Sequence, residues 1–228
     1  MFGWGDVTRI GAMIWRSEKE VMMVIYPLQV RYDIGESTIF VRHPQPELVQ
    51  DGVIVPRLLW IDLKRGVVRE EKLAYGWNID YKLSSSGKYI AKVKYFEEGY
   101  IEVLETDTMR SMTKVVLPKN VDIINVGWAD NKRLVIYGLD TGLKRNVIYV
   151  VNIKTGQMKL AESCRISDSF VGAVGAYVVY GSDGWIFTIG KKYWIKNYVT
   201  KEKKAIRRVI QKVRGICENQ KLVMEVGF

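Results

Sequence analysis

Short runs rich in Val, Ile and Tyr return along this chain at a nearly constant interval. That interval limits the available folds more than any other feature. Gly87-Lys88-Tyr89-Ile90 precedes Asn131-Lys132-Arg133-Leu134 by 44 residues. Leu134 is followed after 43 residues by Tyr177-Val178-Val179-Tyr180, and Tyr177 after 45 by Leu222-Val223-Met224. A second series runs through Leu59-Trp60-Ile61-Asp62, Tyr100-Ile101-Glu102-Val103, Ile148-Tyr149-Val150-Val151 and Tyr193-Trp194-Ile195-Lys196. Each run has the composition and alternation of a strand. Polar turn signals separate them, among them Ser84-Ser85-Ser86-Gly87, Asp130-Asn131, Asp140-Thr141-Gly142 and Lys154-Thr155-Gly156. The chain is therefore expected to be all-β, built from repeated small sheets.

Some of these segments resemble a known repeat. Tyr81-Lys82-Leu83-Ser84-Ser85-Ser86-Gly87-Lys88-Tyr89 looks like the W-S-P-D-G-K-Y corner of β-propeller blades, and so does Trp128-Ala129-Asp130-Asn131-Lys132-Arg133-Leu134. The stretch from Ile148 to Gln157 is similar to the end of a blade's third strand and the Thr-Gly turn that follows it. The match is good over residues 73–160 and weaker outside them, and the Gly-His and Trp-Asp pairs of the true WD repeat are absent. A period of about 40–50 residues with four strands per unit fits the same reading. Second strands near Val24, Lys92, Val135, Val178 and Val223 give about five blades in one domain spanning 1–228. Phe2–Ile10 is expected to supply a strand to the last blade, closing the ring from both termini and hiding sheet edges. An ordinary β-sandwich with similar turns is the alternative.

Between Tyr26 and Leu58 the spacing stretches to about 30 residues where other repeats need roughly 10. The segment 27–56 is thus read as an insertion between strands of the first blade. It holds four of the five prolines and the only histidine, His43, with a strand-like stretch from Ser37 to Arg42. Its two readings are an irregular surface excursion and a partner-contacting loop on a rigid scaffold.

Charge is concentrated in one place. The chain carries +10, of which residues 191–214 contribute +9. Across 200–214, Ile206, Val209, Ile210 and Val213 fall at helical spacing, with Thr200 as an N-cap and Gly215 past the end. A basic amphipathic helix fits this pattern better than a strand. If the segment is functional, Lys201, Lys203, Lys204, Arg207, Arg208 and Lys212 would meet phosphates, and Tyr193 and Trp194 would stack on bases. The plainer reading is a solvated cationic face, and an anionic membrane surface would also suit it.

Chemistry-bearing patterns are sparse. There is no Cys-x-x-Cys, no histidine pair and no acidic calcium loop, so no metal or cofactor is expected. Cys164 and Cys217 read as small buried residues that could pair only if the fold joins them. Five-bladed propellers include glycoside hydrolases, and that resemblance singles out Asp80 and Asp122 near the starts of inner strands; Asp62 and Asp107 read as turn residues. No acid/base constellation follows, so no catalytic residue is assigned. No run of 18 apolar residues exists and no secretory signal opens the chain, which implies a cytoplasmic or virion-associated location. Frequent Lys and Glu with scarce Gln and His lean towards a thermophile, an archaeon or its virus. The resulting expectation is a non-catalytic protein-interaction or scaffold module in a larger assembly, with nucleic-acid binding through 191–214 as the alternative.

Overall fold

A computed structural model of the chain describes residues 8–27, 31–34, 37–40, 56–74, 76, 78–96, 99–182, 192–206, 210–216 and 222–226. Among these residues there are twenty strands and no helix. The first sheet has the order β1 (Thr8–Trp15), β2 (Glu20–Pro27), β5 (Arg57–Asp62), β6 (Gly66–Lys72). Between β2 and β5, β3 (Arg31–Ile34) and β4 (Ser37–Phe40) pair, among the described residues, only with each other. Three more four-stranded antiparallel meanders follow. They are β7 (Ile79–Leu83) to β10 (Ser111–Val116) through β8 (Tyr89–Lys94) and β9 (Tyr100–Glu105), then β11 (Val121–Asp130) to β14 (Met158–Cys164) through β12 (Arg133–Asp140) and β13 (Arg145–Asn152), and finally β15 (Asp168–Val174) to β18 (Lys203–Ile206) through β16 (Tyr177–Ser182) and β17 (Lys192–Asn197). A hairpin of β19 (Ile210–Ile216) and β20 (Leu222–Val226) completes the series.

The first strands of successive sheets touch in chain order, β1 to β7, β7 to β11, β11 to β15 and β15 to β19. They form the inner row, and each sheet radiates from it. All five expected second-strand positions fall on second strands: β2, β8, β12, β16 and β20.

The core lies between sheets rather than within one. Met22, Leu58, Trp60, Tyr81 and Ile90 fill the space between the first and second sheets. Val93, Ile101, Val103, Leu134 and Ile136 fill the next, and Val135, Tyr137, Ile148, Val178 and Tyr180 the third. Strand alternation explains this: Val135 and Tyr137 face one neighbour while Leu134 and Ile136 face the other, so both faces of a blade are apolar. Each such fully buried aliphatic side chain contributes about 1.5–3 kcal/mol of transfer free energy.

The repeat corners work as sheet-to-sheet clasps. Asn131 Oδ1, in the corner of the third sheet, accepts from Ser86 N at 3.2 Å and Ser86 Oγ at 2.7 Å in the corner of the second. Trp128 Nε1 donates to Lys82 O at 2.9 Å across the same gap. Gly87 stands at φ +69, and a Cβ there would lie 2.3 Å from Ile14 Cδ1 of the first sheet, so the corner needs glycine on both counts.

Two expectations are corrected. Residues 203–206 and 210–216 are strands, not parts of a helix over 200–214. Ile206 pairs with Tyr193 and Lys203 with Lys196, giving the outer backbone of β17 partners that a helix would leave unmet. The helical spacing was a coincidence spread over two strands. Thr200 is no N-cap; it belongs to a turn in which Asn197 Oδ1 accepts from Val199 N and Thr200 N. The same short polar side chains serve both motifs. Terminal closure is not what the structure describes either. Thr8–Ile10 belong to β1 and pair with β2 of the first sheet, residues 1–7 lie outside the described residues, and β19 and β20 bond only to each other among the described residues. A hairpin partner a few residues away costs far less closure entropy than one at the other end of the chain.

Candidate functional site

Residues 192–206 of the basic segment form the outer hairpin of the fourth sheet, linked by ion pairs to the edge strand of the third, and 210–214 lie on β19. Lys201, Lys203 and Lys204 are exposed. Arg207 and Arg208 lie outside the described residues, and Lys212 sits on β19 with its side chain not described. Tyr193 is 3% exposed in the core, so it offers no face to a base, which corrects its expected stacking role. Trp194 is half-buried, and Lys203 Nζ stands 4.6 Å from its ring centroid. Lys203 also lies 5.2 Å from the Tyr180 ring centroid. Across the gap, Glu162 on β14 engages Lys196 at 2.5 Å and Lys203 at 3.7 Å. The segment therefore neutralises part of its own charge on the neighbouring sheet.

Beside this hairpin is a cleft of about 410 Å³ between the third and fourth sheets. Arg145 from the start of β13, Arg165 just past β14, and Lys203 from β18 bring three cations to it. Asp168 brings one carboxylate, whose Oδ2 accepts from the Arg165 backbone N–H at 3.0 Å. Tyr180 and Trp194 form its aromatic wall, with Ser163 and Cys164 beside them. Burial, reinforced by Asp168 and Glu162, pushes the Cys164 thiol up to about 12, so it is neutral and no nucleophile near pH 7. Its Sγ contacts Asn146 O at 3.6 Å; Cys164 is a free, buried cysteine, and Cys217 lies outside the described residues.

The Tyr180 hydroxyl is unusual. Burial first, and then the charge of Glu162 and a side-chain hydrogen bond to it, raise its pKa.

The loop that carries Arg165 and Asp168 is held from below. Asn146 Nδ2, with two protons to give, stands within hydrogen-bond distance of Ile166 O at 3.0 Å, Asp168 O at 2.9 Å and the Tyr137 hydroxyl, which itself donates to Asp168 O. On the far end of the same seam, a second groove of about 370 Å³ is lined by Arg133, Lys159, Lys201 and Tyr198.

The two inner-strand carboxylates stand in different surroundings. Asp80 accepts from the Tyr26 hydroxyl at 2.5 Å and pairs with Lys82 at 2.6 Å. Burial alone would raise its pKa, but Lys82, Tyr26 and the Tyr81 N–H outweigh that and hold it below the usual range. A carboxyl kept ionised in this way is no general acid. Asp122 is exposed. Asp62 is a turn residue, its Oδ1 accepting from Lys64 N and Arg65 N, and Asp107 lies in the matching turn, 3.1 Å from Arg16. Among the described residues no cluster of three His, Cys, Asp or Glu side chains could hold a metal, and no helix is long and apolar enough to cross a membrane. His43 lies outside the described residues.

Of the residues singled out from the sequence, Lys203 and Trp194 line this cleft; Arg145, Arg165 and Tyr180, which line it with them, were not singled out. The available signal was the repeat itself. In each meander the start of the third strand, the end of the fourth and the start of the next inner strand share one face.

Four-stranded antiparallel meanders radiating from a row of inner strands define a β-propeller-like architecture. Solved structures agree on the fold. The β-propeller domain of the Trilobed protease from Pyrococcus furiosus, described as having an open velcro topology, matches with a TM-score of 0.52 at 13% identity, over 87% of this chain and 57% of that one. Pyrococcus horikoshii acylaminoacyl peptidase matches with 0.54 at 12% identity, over 87% and 32%. An uncharacterised protein of Listeria monocytogenes matches with 0.55 at 8% identity, over 90% and 55%. The chain thus spans from a third to just over half of the length of these structures. No family model and no curated protein matches it.

Proposed function

We propose that this chain is a non-catalytic interaction module of a larger assembly. Its partner meets the face at which second strands end and third strands begin. The carrying observation is that two irregular features open on that one face. The segment 27–56 leaves at the end of β2 and returns at the start of β5, and the cationic cleft opens at the start of β13 and the end of β14. Loops on a rigid sheet scaffold are favoured places for binding. The test is affinity purification from the source cells of the intact chain and of a chain lacking residues 30–52, bridged by a short Gly/Ser turn. A stoichiometric partner retained by the first and lost by the second, at equal melting temperature, is the expected result. A partner held equally by both would overturn the reading.

A second reading, nucleic-acid binding, is favoured by three exposed lysines, Lys201, Lys203 and Lys204. Three lysines on duplex phosphates would give a log–log salt slope of about −3. Absence of salt-sensitive binding at low ionic strength removes this reading.

A further inference from the structure

The second and third sheets are apolar on both faces, and neighbouring sheets cover both. The first sheet is covered on one face only. Ala12, Ile14, Met22, Val24, Leu58 and Trp60 fill the gap between it and the second sheet. Strand alternation sends the intervening residues to the opposite face, and the register aligns them there. Met13 lies opposite Met23 and Met23 opposite Leu59; Trp15 lies opposite Val21, Val21 opposite Ile61 and Ile61 opposite Val67. This outer face is as apolar as the covered one, yet Met13, Trp15 and Val67 are 52%, 58% and 54% exposed. Its charges, Arg57, Glu70 and Lys72, stand together at one end, with Arg57 and Glu70 paired at 2.8 Å. No strand of another sheet packs broadly against it among the described residues.

We propose that this face is the contact of a symmetric dimer, the first sheet of one copy packed face to face on the first sheet of a second copy. Contacts between identical subunits are more apolar than other protein interfaces, with charge kept to the rim and Trp and Met enriched at the centre. The charge distribution selects the same partner. Two chains at +10 repel each other, but +9 of that lies in 191–214, on the fourth sheet and β19. The second and third sheets separate that segment from the first sheet. Joined through their first sheets, two copies bring near-neutral surfaces together and hold the basic segments apart. An acidic partner would be drawn to the basic segment instead. The area is sufficient. Four strands about 4.8 Å apart, each rising about 3.3 Å per residue, cover about 400 Å² in plan on each copy. Side chains standing up from the sheet raise the accessible area further, so two faces bury about 1,000 Å² between them, enough for a specific interface. This contact uses a different face from the one assigned to the assembly partner, and the two readings fail independently.

The test is sedimentation velocity of the full chain from low micromolar to submillimolar concentration, at low and high salt. The chain should pass from monomer to dimer and stop there, because a contact between two identical faces closes on itself. Raising the salt should leave the dimer intact, since apolar burial rather than charge holds it. Trp15→Thr, which keeps a strand-forming residue, and Met13→Lys should each raise the dimer dissociation constant by about tenfold or more. Leu143→Lys, at a 68% exposed side chain in the turn between β12 and β13, should leave it unchanged. Any of four results overturns the proposal. A monomer at every concentration would mean that the face is covered within the chain or reserved for another protein. Growth past the dimer would mean a head-to-tail contact. A dimer that salt dissolves would be held by charge, and one indifferent to both Trp15→Thr and Met13→Lys would use another face.

Discussion

One backbone position recurs in the four outer turns with the same conformation and different residues. Gly66, Met109, Gly156 and Lys201 all close the turn between third and fourth strands, with φ of 80, 55, 68 and 67. Only glycine takes that region without strain; an L side chain gives up about 1 kcal/mol there. Lys201→Gly, at an exposed side chain, should therefore stabilise the chain by about 0.5–1 kcal/mol, read from chemical denaturation, whereas Met109→Gly should not, because Met109 packs against the core between the first and second sheets. If Lys201 contacts a polyanion, Lys201→Gly should also flatten the salt dependence of binding. The Asp80 site gives a prediction of opposite sign. Its carboxyl is held below its unfolded value, so it adds stability above about pH 4 that is lost as pH falls through its folded pKa. Asp80→Asn should cost about 1–3 kcal/mol near neutrality and flatten the acid limb of the stability profile, as measured by melting temperature against pH. Neither position was fully legible in the sequence. Lys154-Thr155-Gly156 announced one turn by its glycine, whereas Lys201 hid the same turn under a charge run. The cleft was hidden for a related reason: Arg145, Arg165 and Tyr180 are far apart along the chain and meet only through sheet order.

Strands were readable wherever a turn signal bounded them, and the expected second and third strands fall where the period puts them. What failed was the segment with the least alternation. Ile206, Val209, Ile210 and Val213 satisfy a helical template within one window, but the pairing of β18 with β17 decides the matter, and a local window contains no information about that partner. Edge position also explains the lysines. Lys203 and Lys204 sit on the outer strand of the fourth sheet, where charge discourages pairing with another molecule. Lys204→Val should raise self-association, seen as a shift to dimer or larger species in sedimentation velocity; a strictly unchanged distribution would show that the edge is protected by other means.

Across the whole molecule, stability is distributed between neighbours, because each buried cluster belongs to two adjacent sheets. The sheets on either side of the largest cluster are braced on both faces, while β19 and β20 form a two-stranded sheet among the described residues. In hydrogen exchange, amides of β8, β12 and β13 should be the slowest and those of β19 and β20 the fastest, by a factor of about a hundred or more. Equal protection throughout would mean a single cooperative ring. The local pairing described for β1 has a further consequence at the ribosome. Synthesis delivers about 5–20 residues per second from the N-terminus, and the second, third and fourth sheets are each completed by strands that emerge one after another. No described strand of the nascent chain has to wait, unpaired and prone to aggregate, for a mate at the far terminus. The first sheet alone is delayed, because β5 cannot join β2 until the 29 residues between Pro27 and Arg57 have left the exit tunnel.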